Sequence, residues 1–170
     1  MGKKEKTVKT AVPEDFTLAL ALTDALPVLF FAGSMFIGGK LLGSIPFFIG
    51  GALCFWAGAA KVLWKIIVVT KKKNVRFLFL QMRAVMPVGF VLICIALVIK
   101  INAIGAESVL EALTSLPSLI FFITGIVGLA LMSAFAFLSD ASDARSNWIE
   151  QLTNTAAQAA FFAGLLFLLR

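Results

Sequence analysis

Asp24, Lys61 and Arg83 are charged residues inside three separate apolar runs, and Thr23, Gln81, Asn154 and Gln158 are polar residues in the same runs or in a further one. A charge at mid-membrane costs about 2.5 to 3.5 kcal/mol to insert, so such residues are expected to pair, to bind a solute or to line a path. Counted at 1.5 Å of helix rise per residue, all seven fall roughly 5 to 15 Å below one membrane surface. As a substrate-binding set, Asp24 would respond to a proton or cation, and Arg83 or Lys61 would meet an anionic moiety. Thr23, Gln81, Asn154 and Gln158 complete the candidate site.

Two prolines sharpen the pattern. Pro27 cannot donate to the carbonyl of Thr23, beside Asp24, and Pro87 cannot donate to that of Arg83. Kinks there would bring opposite charges and open acceptors to one depth, which membranes tolerate only inside protein or around a cavity. The expectation is a polar pocket open to the cytoplasmic side.

Plainer roles compete for the same residues. Lys61 and Lys65 can snorkel to headgroups, Asp24 with Arg83 can form a structural ion pair, and Gln151 with Gln158 can bond across helices. Asp140, Asp143 and Arg145 read as a polar loop, with Glu150 complementing a helix start. Those acids lack EF-hand spacing, so no metal is assigned. With no His and no Tyr in the chain, a His-ligated haem, a His metal site and a His-based triad are excluded. Cys54 and Cys94 stand 40 residues apart without C-x-x-C spacing and receive no chemistry. No catalytic residues and no cofactor are assigned.

The elements that must hold these residues follow from composition. Of 170 residues, 61% are hydrophobic and 14% charged, with a mean hydropathy of +1.01, the signature of an integral membrane protein. An all-α bundle of five transmembrane helices is expected, with spans at about 16–38, 45–69, 77–99, 116–138 and 148–169, since about 20 apolar residues cross a bilayer. Residues 1–15 form a basic cytoplasmic tail, with Pro13-Glu14-Asp15 as a helix start, and the whole chain is one domain. Lys3, Lys4, Lys6, Lys9, Lys71, Lys72, Lys73, Arg76 and Arg145 fall on one side, and Lys40, Lys100 and Arg170 on the other. By the positive-inside rule this nine-to-three excess places the N-terminus in the cytoplasm and the C-terminus outside a cell membrane.

Small residues spaced by four, Ser34 with Gly38, Thr124 with Gly128 and Ala156 with Ala160 and Gly164, suggest close helix contacts. The 17 phenylalanines read as hydrophobic filling. Leu26-Pro27-Val28-Leu29-Phe30-Phe31 is echoed by Leu116-Pro117-Ser118-Leu119-Ile120-Phe121-Phe122, and Phe55-Trp56-Ala57-Gly58 by Phe161-Phe162-Ala163-Gly164. Such echoes would form an inverted repeat, a transporter architecture.

Three functions fit. A carrier or transporter-like protein would bind a small-molecule, amphipathic or lipid ligand. A non-catalytic subunit would bind a membrane-protein partner or a second copy of itself. A lipid-modifying enzyme would use Asp24 as base and Arg83 as headgroup clamp, but no second acid or nucleophile accompanies them. The lipid bilayer is the one partner common to all three. No basic face outside the bilayer remains for nucleic acid.

Overall fold

The computed structural model describes residues 17–138 and 144–170, with side chains from 17 to 135 and from 145 to 170. The basic tail, its helix start at Pro13-Glu14-Asp15, and Asp140 and Asp143 lie outside the described residues.

The chain is all-α: α1 (Leu18–Thr23), α2 (Ala25–Leu42), α3 (Ile45–Lys71), α4 (Arg76–Leu80), α5 (Met82–Ile104), α6 (Ala106–Thr114), α7 (Ser118–Leu138) and α8 (Ala144–Leu168). α1 runs into α2 with a single-residue break at Asp24, inside the turn that precedes Pro27, where the donor to the Thr23 carbonyl is missing. α4 runs into α5 with a break at Gln81, whose amide donates to the Leu78 carbonyl at 3.3 Å. α5 passes through Pro87 without interruption, so the break lies six residues before that proline rather than beside it. Gly43 (φ 54°) and Lys72 (φ 51°) end α2 and α3 in left-handed backbone.

Among the described residues four rods are long and apolar enough to cross a membrane: Leu18–Leu42, Ile45–Lys71, Arg76–Ile104 and Ser118–Phe135. The protein is therefore a multi-pass, all-α membrane bundle. α8 has the length to span, at 25 residues, but its first half carries Arg145, Glu150, Gln151 and Asn154, which set it apart from the other four. Where a loop is expected after Lys100, α5 continues to Ile104 and the amphipathic α6 follows, joined to α7 by a turn containing Pro117.

In space the order is α7, α8, α1/α2, α3, α4/α5, with each neighbouring pair packed and, among the described residues, no comparable packing between the end helices α5 and α7. The bundle is thus an arc rather than a closed ring. α3 lies antiparallel to α5, and they cross at paired glycines. A methyl group on Gly89 would stand 2.7 Å from both the Gly50 carbonyl oxygen and Cys54 Sγ, and one on Gly50 would stand 2.6 Å from the Gly89 oxygen. Only glycine allows backbones this near. Phe47, Cys54, Ile93 and Ala96 form the buried core beside that crossing.

At other contacts glycines receive rings: Phe162 lies on Gly33, Phe161 on Gly125 and Phe122 on Gly164. Of the small-residue row expected on α8, Ala160 and Gly164 face inward and Ala156 does not, its place being taken by Ala157. Ala157, Ala160 and Gly164 are buried, with Ala157 against Gly128, whereas Ala156 is exposed. Ser34 and Gly38 are both buried, but Thr124 is exposed and spends its hydroxyl on the Ile120 carbonyl at 2.8 Å. The inverted repeat does not hold either. Exchanging the first span for the fourth and the second for the fifth would turn the α2–α8 packing into an α7–α3 packing, and those two helices are not a packed pair.

The glycine crossing gives a direct test. Gly89→Val should lower stability in detergent by about 2 kcal/mol or more, because backbone and Cys54 must move apart. Ala52→Val, on the exposed side of α3, should leave the unfolding midpoint nearly unchanged.

Candidate functional site

Asp24 occupies the break between α1 and α2 and is 5% exposed, so its carboxylate is taken out of solvent by the folded chain. Its partner is the Lys65 ammonium of α3, joined by an ion pair and hydrogen bond through Oδ2. The side chain of Lys65 is itself 11% exposed, so its stem and head are both packed rather than snorkelling. Lys61, one turn away on the same face, and Glu150 of α8 are close enough to act on the Lys65 charge. The other oxygen, Asp24 Oδ1, is buried without a hydrogen-bond partner among the described residues.

The expected pairing of Asp24 with Arg83 is therefore replaced by Asp24 with Lys65. The reason lies in the helix order: α3 packs between α1/α2 and α4/α5, leaving Arg83 on the far side. Arg83 is exposed and its guanidinium lies over the Phe79 ring, 5.6 Å from the centroid. Thr23 Oγ1 donates to the Ala19 carbonyl at 2.9 Å within its own helix. Gln81 bridges to α3, its Nε2 donating to the Ala57 carbonyl at 3.2 Å, while its Oε1 is buried without a partner among the described residues. Near the same end Trp64 Nε1 donates to Asn74 Oδ1 at 3.0 Å and its ring meets Phe79, tying the α3–α4 loop down.

A cavity of about 300 Å³ occupies the concave side of the arc near mid-helix. Pro27, Val28 and Phe31 of α2, Cys54 and Gly58 of α3, Met86 and Phe90 of α5, Leu129 and Met132 of α7, and Asn154 and Gln158 of α8 line it. Every long element contributes. Of the seven residues singled out from the sequence, only Asn154 and Gln158 reach this cavity. Asp24, Thr23, Lys61, Gln81 and Arg83 do not, so the expected charged pocket is an apolar cavity with two amides. The charges lie below it on continuations of the same faces: Asp24 three and four residues before Pro27 and Val28, Lys61 and Lys65 three and seven after Gly58, Glu150 four before Asn154. The ion pair thus forms a floor between the cavity and the lysine-rich helix ends.

Lys65 and the apolar lining were the parts missed from sequence. Measured from the helix ends, Asp24 is six residues after Leu18 and Lys65 six residues before Lys71, whereas Lys61 is ten before it. That depth match is the signal that picks Lys65. No protein-family model matches this chain, and comparison with curated proteins and with solved structures finds no match.

Double-mutant cycles should report the pair. Lys65→Met alone strands the buried Asp24 carboxylate without its ion-pair partner and should cost about 3 to 5 kcal/mol of stability, much of it regained in Lys65→Met with Asp24→Asn. Asp24→Asn and Arg83→Gln should be additive in the same unfolding assay.

Proposed function

We propose that this protein is a carrier or transporter-like binder of a small, amphipathic solute, with the mid-membrane cavity as its site. The observation that carries the reading is the lining itself. Five long elements turn residues toward one cavity, and the two that close the arc, α5 and α7, leave it unsealed by helix packing. Inside a bilayer a gap between helices faces acyl chains, so a solute can enter sideways from the membrane. Its size fits the lower end of small-ligand sites. With the Asp24–Lys65 pair as a floor on one side, exchange to that side would require this pair to part, which gives Asp24 and Lys65 a gating role rather than a solute-contacting one.

The reading takes α8 as a fifth span. Its 25 residues measure about 37 Å, and its apolar half packs against both α2 and α7 through Phe162 and Phe161. With α8 counted as a span, the nine-to-three lysine and arginine excess favours an N-terminus inside and a C-terminus outside.

Reconstituted protein should bind or move amphipathic solutes from a panel in proteoliposomes, and Met132→Trp, which fills the cavity, should remove that activity at least tenfold while the protein still folds. Absence of saturable binding across the panel, or indifference to Met132→Trp, would leave the helical-subunit role in its place. Cysteine labelling should find Lys72→Cys reachable from the cytoplasm, and Lys40→Cys, Gly105→Cys and a C-terminal tag reachable from outside. A cytoplasmic C-terminus would remove α8 as a span.

A further inference from the structure

We propose that the cavity takes an uncharged, single-chain amphiphile with a hydroxyl head, a long-chain alcohol in chemical class, whose head lies on Asn154 and Gln158. This rests on the reading of the cavity as a ligand site and names what enters it. Three observations point the same way.

Among the described residues no charged side chain lines the cavity, and the Asp24 carboxylate beneath it is paired with Lys65. A carboxylate, phosphate or ammonium head would lose its hydration there and meet no counter-charge in the lining. The second observation is the state of the two amides. Asn154 and Gln158 sit one helical turn apart, half-buried, and neither side chain has a hydrogen bond to the protein among the described residues. Polar side chains within membrane helices ordinarily find a partner on a neighbouring helix. Each amide offers a carbonyl acceptor and an NH₂ donor. A hydroxyl, which donates once and accepts twice, can bridge the two, whereas a carboxylate or ammonium head can satisfy only donors or only acceptors.

The third is size and shape. About 300 Å³ holds roughly ten non-hydrogen atoms at about 30 Å³ each, enough for a head and part of one chain and too little for two. Phe31, Phe90, Leu129 and Met132 offer that chain an apolar wall, and the unpacked edge between α5 and α7 lets its remainder continue into the bilayer. Met86 and Met132 can repack around different chain lengths.

The test is photocrosslinking of the full chain in nanodiscs with a dodecanol carrying a mid-chain diazirine, and mass spectrometry to place the adducts. Adducts should fall on cavity residues, and unlabelled dodecanol should compete. Dodecane, dodecanesulfonate and dodecyltrimethylammonium should each compete at least tenfold less well. In the double variant Asn154→Leu with Gln158→Leu, two hydrogen bonds are gone, and dodecanol should compete about tenfold less well than on the unaltered chain, close to dodecane. If that variant fails to fold, the ranking of the four competitors on the unaltered chain still decides. A charged competitor equal to dodecanol, or dodecane equal to it, would overturn the hydroxyl ligand while leaving a binding cavity. No saturable adduct at all would overturn the cavity as a ligand site and the proposed function with it.

Discussion

Asp24 cannot turn to bulk water for its charge, because the helices that carry it are packed within the bilayer and the carboxylate is 5% exposed. A polar group in that position is stable only if the protein supplies its partner. Lys65 is that partner, and meeting it sets the height of α1/α2 against α3. The register so defined lets Gly58 of α3 receive Val28 and Gly51 receive Met35, the contacts that hold the pair along its length. On its other side α3 meets α5 at Gly50 and Gly89, so a buried ion pair and a bare-backbone crossing together fix the three helices that form one half of the arc.

Satisfying that constraint also separates charge from cavity. Asp24, Lys65, Lys61 and Glu150 gather at the end of the bundle nearer the lysine-rich loop, and the cavity one to two turns further in is left with methionines, phenylalanines and two amides. α8 differs from the other rods for the same reason: its polar face, Glu150, Asn154 and Gln158, runs along the inside of the arc rather than toward lipid. The helix whose composition least resembles a span is the one that supplies the cavity's polar atoms.

The class, the long helices and the isolation of Asp24 in apolar surroundings were legible in the residues, because runs of about 20 apolar side chains and a lone acid within one carry their meaning locally. Partner choice was not. Lys61 and Lys65 share a face, Arg83 has a comparable depth, and only knowing that α3 stands between Asp24 and Arg83 removes the latter. Helix order is a long-range property that no spacing in one run encodes. Gly50 and Gly89 were equally hidden, since neither belongs to a conspicuous small-residue row, and their importance arises from meeting each other. In the α8 row Ala160 and Gly164 were legible and Ala157 was not, because Ala156 and Ala157 are alike in sequence and only packing tells which is inside. The motif echoes carry no repeat in the packing: Phe, Leu, Ala and Gly recur throughout so apolar a chain, and the α2–α8 contact has no counterpart that a repeat would require.

The proposed carrier role depends on the arc being open sideways to the bilayer between α5 and α7. A nitroxide on Met132→Cys, with Cys54 and Cys94 changed to alanine, reports it through collision rates with oxygen, which concentrates in lipid, and with a water-soluble nickel chelate. A second label at Ile126→Cys, 60% exposed on α7, gives the lipid-facing reference. A lateral opening gives an oxygen collision rate at Met132 close to that at Ile126, with little contact with the chelate. Low rates with both reagents would show a sealed interior, and a high rate with the chelate a water-filled cleft, and either would contradict the lateral opening.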